Sequence, residues 1–110
     1  MGDTLGGFEK LLLLAILRLG RDAYGAAIFE ELGRRTDRET SPGAVYVTLR
    51  RLESKGMVRS QTGSPTPERG GRAKKVYALE PAGLDALRDA RREWDAMAHG
   101  LDGLLAEEGQ

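Results

Sequence analysis

One segment, residues 41–56, has both of its ends marked, and it therefore constrains the rest of the chain most. Ser41 is a favourable N-cap, Pro42 suits the first helical position, and Gly56 supplies a C-terminal stop. Apolar residues recur inside the segment at i, i+4 and i+7, and these are Val45, Leu49 and Leu52. This spacing predicts a helix with one apolar stripe that faces a core.

The opposite side of this helix is small at its start and basic further along. At about 100° per residue, the residues that point away from the stripe are Gly43, Tyr46, Val47, Arg50 and Ser54. Small residues allow close approach, an arginine suits bidentate contact with guanine or phosphate, and a tyrosine hydroxyl reaches a phosphate or base edge. An ordinary solvated face is the alternative, and we favour contact with nucleic acid. The residues expected on this surface are Ser41, Gly43, Tyr46, Val47, Arg50 and Arg51.

Two helices are predicted before this segment. The first runs from Phe8 to Leu19, is apolar on nearly every face and ends at Gly20, so it should be buried on most sides. Its apolar run is too short to span a membrane, and no small-residue cleavage site follows, which favours a cytoplasmic protein. The second helix runs roughly from Ala23 to Arg35.

A hairpin with a long tip is predicted after the capped helix. The segments 57–62 and 74–79 alternate in polarity, and the loop 63–73 between them holds two prolines and three glycines. Val76 and Leu79 are expected to face inward. The tip and the second strand carry four basic residues, which we expect to contact phosphates or the minor groove: Arg69, Arg72, Lys74 and Lys75.

The last segment, from Pro81 to about Glu108, keeps a three-four apolar spacing and predicts one continuous amphipathic helix, roughly 37 Å long. Residues 1–79 would form one domain and residues 80–110 a dimerisation helix, because a small domain cannot cover so long a stripe. The expected interface residues are Leu84, Leu87, Trp94, Met97, Leu101, Leu104 and Leu105. Trp94 and Met97 are also candidates for binding a flat apolar ligand, unless they simply fill that interface.

The distribution of charge supports a nucleic-acid partner although the formal net charge is zero. Residues 41–79 hold eight basic and two acidic side chains, a net of +6, whereas residues 80–110 hold three and eight, a net of −5. The chain has no cysteine and one histidine, His99, which together disfavour a metal site. No phosphate-cradling or nucleophile motif is present, so we expect neither a cofactor nor an enzymatic activity.

The predicted fold is α+β and mostly α, a winged helix-turn-helix with a long C-terminal dimerisation helix. The element order is helix, helix, capped helix, hairpin, long helix, in which the capped helix enters the major groove and the hairpin is the wing.

The stretch Ser41 to Val58 resembles the signature of the PadR family of bacterial transcription regulators, in which a Ser-x-Gly-x-x-Tyr-x-x-Leu-x-x-Leu-x-x-x-Gly run forms the recognition helix. Further similarity lies in residues 12–17, in Tyr24-Gly25 and in the wing-like residues 70–79. Gly83 also fits the family pattern, whereas Glu80 stands where the family usually has threonine. The resemblance covers roughly residues 8–100.

This resemblance implies a homodimer that binds a pseudo-palindromic operator of double-stranded DNA, usually as a repressor, and a small aromatic or drug-like effector that releases it. It is similar to the short branch of the family, which has a single C-terminal helix. Two alternatives remain open: a winged-helix module that binds protein instead of DNA, and a drug- or metal-sensing winged helix of another family.

Overall fold

The computed structural model describes residues 5–63 and 74–106. Three helices come first: α1 (Gly7–Leu19), α2 (Gly25–Arg35) and α3 (Pro42–Ser54), with a 3-10 turn (Gly20–Asp22) before α2. Two antiparallel strands follow: β1 (Val58–Thr62) and β2 (Lys75–Leu79). The described chain ends with α4 (Pro81–Ala98) and a short helix, α5 (Asp102–Leu105). The predicted order of the first six elements is confirmed, although α2 begins two residues later than expected.

Helix α3 has the ends that its sequence predicts. The Ser41 Oγ accepts a hydrogen bond from the backbone N–H of Ala44 at 3.1 Å, which satisfies one of the free donors at the helix start. Gly56 adopts a φ of +77°, a left-handed conformation that favours glycine after a helix. The predicted apolar stripe is fully enclosed, since three of its residues have an exposed fraction of 0%: Val45, Leu49 and Leu52.

The core lies where α1, α2, α3 and the strands converge. Leu12, Leu13 and Ile16 place one side of α1 in it. The expectation that α1 is buried on most sides is wrong, because Leu14 and Leu17 are 46% and 49% exposed. At about 100° per residue these two leucines lie on the side of α1 away from the core, and so few elements cannot surround the helix.

The hairpin pairs Ser60 with Tyr77 and Val58 with Leu79. Tyr77 is the inward residue of β2, with 5% exposed. Leu79 is half-buried and packs against the core as predicted, whereas the inward placement of Val76 is wrong. Residues three apart on a strand point to opposite faces, and only Leu79 shares the face of Tyr77. The predicted long tip lies outside the described residues except for Gly63.

The C-terminal helix is shorter than predicted. Helix α4 ends at Ala98, and Gly100 turns the chain with a φ of +84° before the short α5. The apolar spacing continues across this break, which explains why periodicity alone predicted one continuous helix to about residue 108. His99 is an exposed residue at the end of α4.

The first turn of α4 packs directly on the strands. The N–H of Glu80 donates to the carbonyl oxygen of Met57 at 2.9 Å. Gly83 is buried beside the same carbonyl, and a Cβ there would lie 2.3 Å from its oxygen. Glycine is therefore required at this position, because any side chain would push α4 away from the strands.

Across residues 5–63 and 74–106, no helix combines the length and apolar character needed to cross a membrane.

Candidate nucleic-acid interface

The outer face of α3 is open to solvent along its length. All five residues predicted to point away from the apolar stripe are exposed: Gly43, Tyr46, Val47, Arg50 and Ser54. Arg51 is exposed as well. Ser41 lies at the start of the same face, but its hydroxyl oxygen is already engaged in capping the helix. The residues that sequence placed on one surface of α3 are therefore brought together there.

Tyr46 is fixed by contact with the start of α2. Its ring lies against Gly25, which is buried, and a Cβ at Gly25 would lie 2.3–2.5 Å from the ring atoms and hydroxyl oxygen. Only glycine at this position permits the contact. Tyr46 nevertheless keeps 42% of its surface exposed, so its position is defined while its outer edge stays available.

A polar contact joins α3 to the hairpin. The Ser60 hydroxyl donates to Oε2 of Glu53 at 2.7 Å, and Ser60 pairs with Tyr77 across the strands. Burial raises the pKa of the Tyr77 hydroxyl, as do the charge of Glu53 and Tyr46, while Arg50 opposes the shift. The buried Tyr77 hydroxyl thus lies in the electrostatic field of the residues on α3.

The base of the hairpin is attached to the segment before α2. The N–H of Tyr77 donates to the carbonyl of Ala23 at 2.9 Å, and Tyr24 forms an isolated antiparallel bridge with Val76. The Lys74 ammonium lies over the Tyr24 ring, 4.5 Å from its centroid. Lys75, by contrast, is exposed. Two further basic residues predicted for the wing, Arg69 and Arg72, lie outside the described residues.

A partly buried ion pair joins the far end of α3 to α1. The Lys55 ammonium is 3.0 Å from both carboxylate oxygens of Glu9, and the Gly6 N–H donates to Oε1 at 2.8 Å. Burial by itself raises the pKa of Glu9, but the Gly6 N–H, Lys55 and Arg51 outweigh it and lower that pKa below the ordinary 4.5. Sequence reasoning missed this pair, because its partners are 46 residues apart.

A second surface, on α1, α4 and α5, is apolar and exposed. We call it the apolar surface, and it comprises Leu14, Leu17, Trp94, Met97, Leu101, Leu104 and Leu105, whose exposed fractions range from 41% to 84%. Leu84 and Leu87, also predicted for the dimer interface, are half-buried at its edge, and Leu87 packs against the core. The part played by α1 was missed, although the spacing of Leu14 and Leu17 on a helical wheel carries the signal.

Two open hollows lie on this surface on either side of Trp94. The first, of about 560 Å³, lies between α1 and α4 and is lined by Leu14, Leu17, Leu84, Leu87 and Trp94, among others. The second, of about 700 Å³, is lined by Trp94, Met97, Leu101 and Leu105, among others. The two candidate ligand-binding residues, Trp94 and Met97, are therefore neighbours on the surface. Among the described residues no group of His, Cys, Asp or Glu side chains is placed to hold a metal ion.

The model of a protein family described as "Transcriptional regulator PadR-like family" matches residues 13–89. Transcriptional regulator Rv3488 of Mycobacterium tuberculosis is 39% identical over 77 residues, which are 70% of this chain and 67% of that protein.

Solved structures show the same fold. A PadR family transcription regulator from hypervirulent Clostridium difficile superposes with a TM-score of 0.68 at 26% identity, covering 91% of this chain and 100% of the other. A PadR family transcriptional regulator from Eggerthella lenta gives a TM-score of 0.65 at 28% identity, covering 90% and 84%. A PadR-like regulator from Bacillus cereus, at 21% identity, shares the fold with a TM-score of 0.71, covering 92% and 93%.

Proposed function

We propose, from the premise that the chain belongs to the PadR-like family of transcriptional regulators, that it represses transcription as a homodimer bound to a pseudo-palindromic operator. The family membership makes it a DNA-binding winged-helix regulator, like the regulators to which it is similar. Repression, dimerisation and release by an effector are the proposal. Because a regulator of this kind acts on the chromosome, we propose a cytoplasmic location. We also propose that it needs no cofactor.

The contrast between the two faces of α3 is the observation that best supports a DNA-binding site on its outer face. Its inner stripe is 0% exposed at three positions, whereas Tyr46 and Arg50 on the outer face are exposed. A helix held so firmly from behind can enter the major groove as a recognition helix. Arg50 would pair with a guanine or a phosphate, and Tyr46 would reach a phosphate or base edge. Gly43 and Val47 would permit close approach, and Ser41 and Arg51 would flank the groove.

The wing would follow the backbone of the adjacent DNA. Lys75 is exposed at the start of β2, and Arg69 and Arg72, outside the described residues, precede it in the chain. Such contacts add affinity for any sequence, because phosphates are present at every base pair.

The proposed dimer rests on the apolar surface. Trp94 and Met97 are 65% and 78% exposed, and Leu104 is 84% exposed. Contiguous apolar surface of this kind marks an interaction site. A second copy would cover it through the same residues on both subunits, since a two-fold interface is self-complementary. Two recognition helices would then face two half-sites of the operator, about one or two helical turns apart.

Selection of bound duplexes from a random library, followed by footprinting, tests the DNA-binding site. Arg50→Ala should weaken binding to the selected duplex by about 1–3 kcal/mol and relax the preference for one base. Arg18→Ala, which removes an exposed arginine from α1, is the matched control and should leave binding unchanged. Equal losses in the two variants would contradict the assignment, as would a footprint without two-fold symmetry. Expression of a reporter gene placed downstream of the selected site should fall when the protein is present, and a rise in expression would contradict repression.

The proposed effector is a small aromatic molecule that binds at Trp94 and Met97, which both line the second hollow. Planar rings stack on an indole, and methionine adapts its shape to different ligands, so a hollow left between the two subunits at these residues would accept such a molecule. Trp94 is the only tryptophan of the chain, so its fluorescence reports binding directly. Saturable quenching by planar aromatic compounds that also lowers DNA affinity is expected. Quenching without any change in DNA affinity would contradict a regulatory role.

A further inference from the structure

The recognition helix and the wing are both attached to one dipeptide, Tyr24-Gly25, at the start of α2. Neither residue is exposed, since Gly25 is buried and Tyr24 half-buried. The contacts made by this dipeptide run in two directions, one toward α3 and one toward β2.

Toward α3, Gly25 provides the surface on which the Tyr46 ring lies. The 2.3 Å separation between a built Cβ at Gly25 and the Tyr46 ring shows that ring and backbone are in close contact. A shift of the segment at Tyr24-Gly25 therefore has to move Tyr46.

Toward the wing, Tyr24 contacts β2 and the residue just before that strand. Its backbone bridges to Val76, and its ring lies below the Lys74 ammonium at a centroid distance of 4.5 Å. A cation at this distance from an aromatic face is attracted by the ring quadrupole. Lys74 also pairs with the other side of the hairpin, because the Gly63 N–H donates to its carbonyl oxygen at 2.7 Å. The contact between Lys74 and Tyr24 therefore anchors the hairpin at its last described pair of residues.

Two adjacent lysines thus have different environments. Lys74 is half-buried with its ammonium over a ring, whereas Lys75 is exposed. An ammonium that lies on an aromatic face is partly withdrawn from the phosphates that an exposed one can reach.

We infer that Lys74 is a positioning residue, which with Tyr24 fixes the wing relative to the recognition helix, and that Lys75 is the lysine that contacts phosphate. This inference rests on the proposed function, because it assumes that α3 and the wing are the surfaces that meet DNA. It divides between two neighbouring lysines the roles that sequence assigned to both.

Salt dependence separates the two roles. Each phosphate contact that is lost should lower the log–log slope of affinity against salt concentration by about 0.9 per subunit. With a duplex selected by the wild-type protein, Lys75→Met should lower the slope in this way. Lys74→Met should leave the slope unchanged while weakening binding about two- to fivefold, the effect of losing one cation–π contact at a partly exposed site. A fall in slope for Lys74→Met equal to that for Lys75→Met would overturn the inference.

A double-mutant cycle tests the contact itself. Tyr24→Leu should weaken binding as much as Lys74→Met, and the double variant should be no weaker than either single variant. Tyr24→Phe and Lys74→Arg keep the ring and the cation, so both should bind as the wild type does. Additive losses in the cycle, or full affinity in Tyr24→Leu, would overturn the inference. Thermal unfolding of each variant identifies a temperature at which all are folded, and binding is measured there.

The same series reports on the proposed function separately. Arg50→Ala and Lys75→Met do not involve Tyr24, and unchanged affinity in both would show that α3 and the wing are not the DNA-contacting surfaces. If those two variants lose affinity while Lys74→Met does not, the proposed function stands and the inference about Lys74 is wrong.

Discussion

Helices α3 and α4 carry the same kind of apolar spacing but have opposite surroundings. The stripe of α3 is 0% exposed at Val45, Leu49 and Leu52, whereas Trp94 and Met97 on α4 are 65% and 78% exposed. The ends of the two helices also differ. Ser41 caps α3 with a hydrogen bond, and Glu80, at the start of α4, makes no such bond.

The difference shows that periodicity identifies an amphipathic helix but not its partner. The stripe of α3 meets α1, α2 and the strands of its own chain. The second half of α4 extends beyond these elements, and from Arg91 to Met97 every residue is exposed. Helix α3 therefore belongs to the core of its own chain, whereas α4 carries an apolar surface that a further molecule would have to cover.

The largest effect is expected in the buried stripe of α3. Leu49→Ala should lower the free energy of unfolding by about 2–5 kcal/mol, because it leaves a cavity where a fully buried side chain was. Met97→Ala, at a 78% exposed position on α4, should cost less than about 0.5 kcal/mol at low protein concentration. Chemical denaturation over a concentration series measures both. Equal costs in the two variants would contradict the contrast between the helices.

The apolar surface is tested by Trp94→Asp. A charge in the middle of the proposed interface should weaken dimerisation at least about 30-fold, the equivalent of roughly 2 kcal/mol, while far-UV circular dichroism stays unchanged. Ala96→Asp adds the same charge on the opposite, exposed side of α4 and is the matched control. Sedimentation equilibrium measures both variants, and a monomeric wild-type protein at micromolar concentration would refute the dimer.

A buried and an exposed carboxylate should also differ in what they contribute to stability. Glu9→Gln removes a buried carboxylate that accepts bonds from Gly6 and Lys55, and should lower the free energy of unfolding by about 1–3 kcal/mol. Asp95→Asn, which breaks the exposed pair of Asp95 with Arg91 on α4, should cost about 0.3–0.5 kcal/mol.

The pH dependence of stability checks the role of Glu9. Its pKa is lower in the folded protein than the ordinary 4.5, so its contribution is complete above that value and is lost as the pH falls through the folded pKa. The wild-type protein should therefore lose stability below about pH 4.5 more steeply than Glu9→Gln. Parallel acid limbs in the two proteins would show that this carboxylate does not govern acid unfolding.

The starts of the two helices are expected to differ by a small amount. Ser41→Ala should cost about 1 kcal/mol, because it removes the acceptor for the Ala44 N–H. Glu80→Ser should instead stabilise the protein by about 0.5 kcal/mol, since a new cap outweighs the loss of the exposed pair with Arg59. Thermal unfolding measures both changes. Destabilisation by Glu80→Ser would show that the contact with Arg59 is the stronger of the two.

Local signals predicted much of this molecule correctly. The boundaries of α3, its covered stripe and its exposed outer face followed from the Ser41-Pro42 start, the i, i+4, i+7 spacing and Gly56, because each signal acts within one or two turns. The same reasoning extended α4 through Gly100, since apolar spacing continued on both sides of it. It also placed Val76 and Leu79 inward, although strand geometry sends them to opposite faces.

Contacts between distant segments required the tertiary structure. Glu9 meets Lys55 across 46 residues, Gly25 is fitted to Tyr46, and Gly83 to the Met57 carbonyl. Nothing in the local pattern distinguishes these glycines from those in loops, because the need for a missing side chain arises only when another element approaches.

Local sequence signals were sufficient to predict the first six elements in order, the family and the residues on the outer face of α3. Hydrophobic period, caps and turn residues act over a few positions, and they can be read without knowing the fold. The packing of the chain, by contrast, brings Leu14 and Leu17 together with Trp94 on one exposed surface. It also places Lys74 over the ring of Tyr24 and leaves Lys75 exposed. Burial and pairing are properties of three-dimensional neighbours, and chain packing brings those neighbours together from segments that share no local signal.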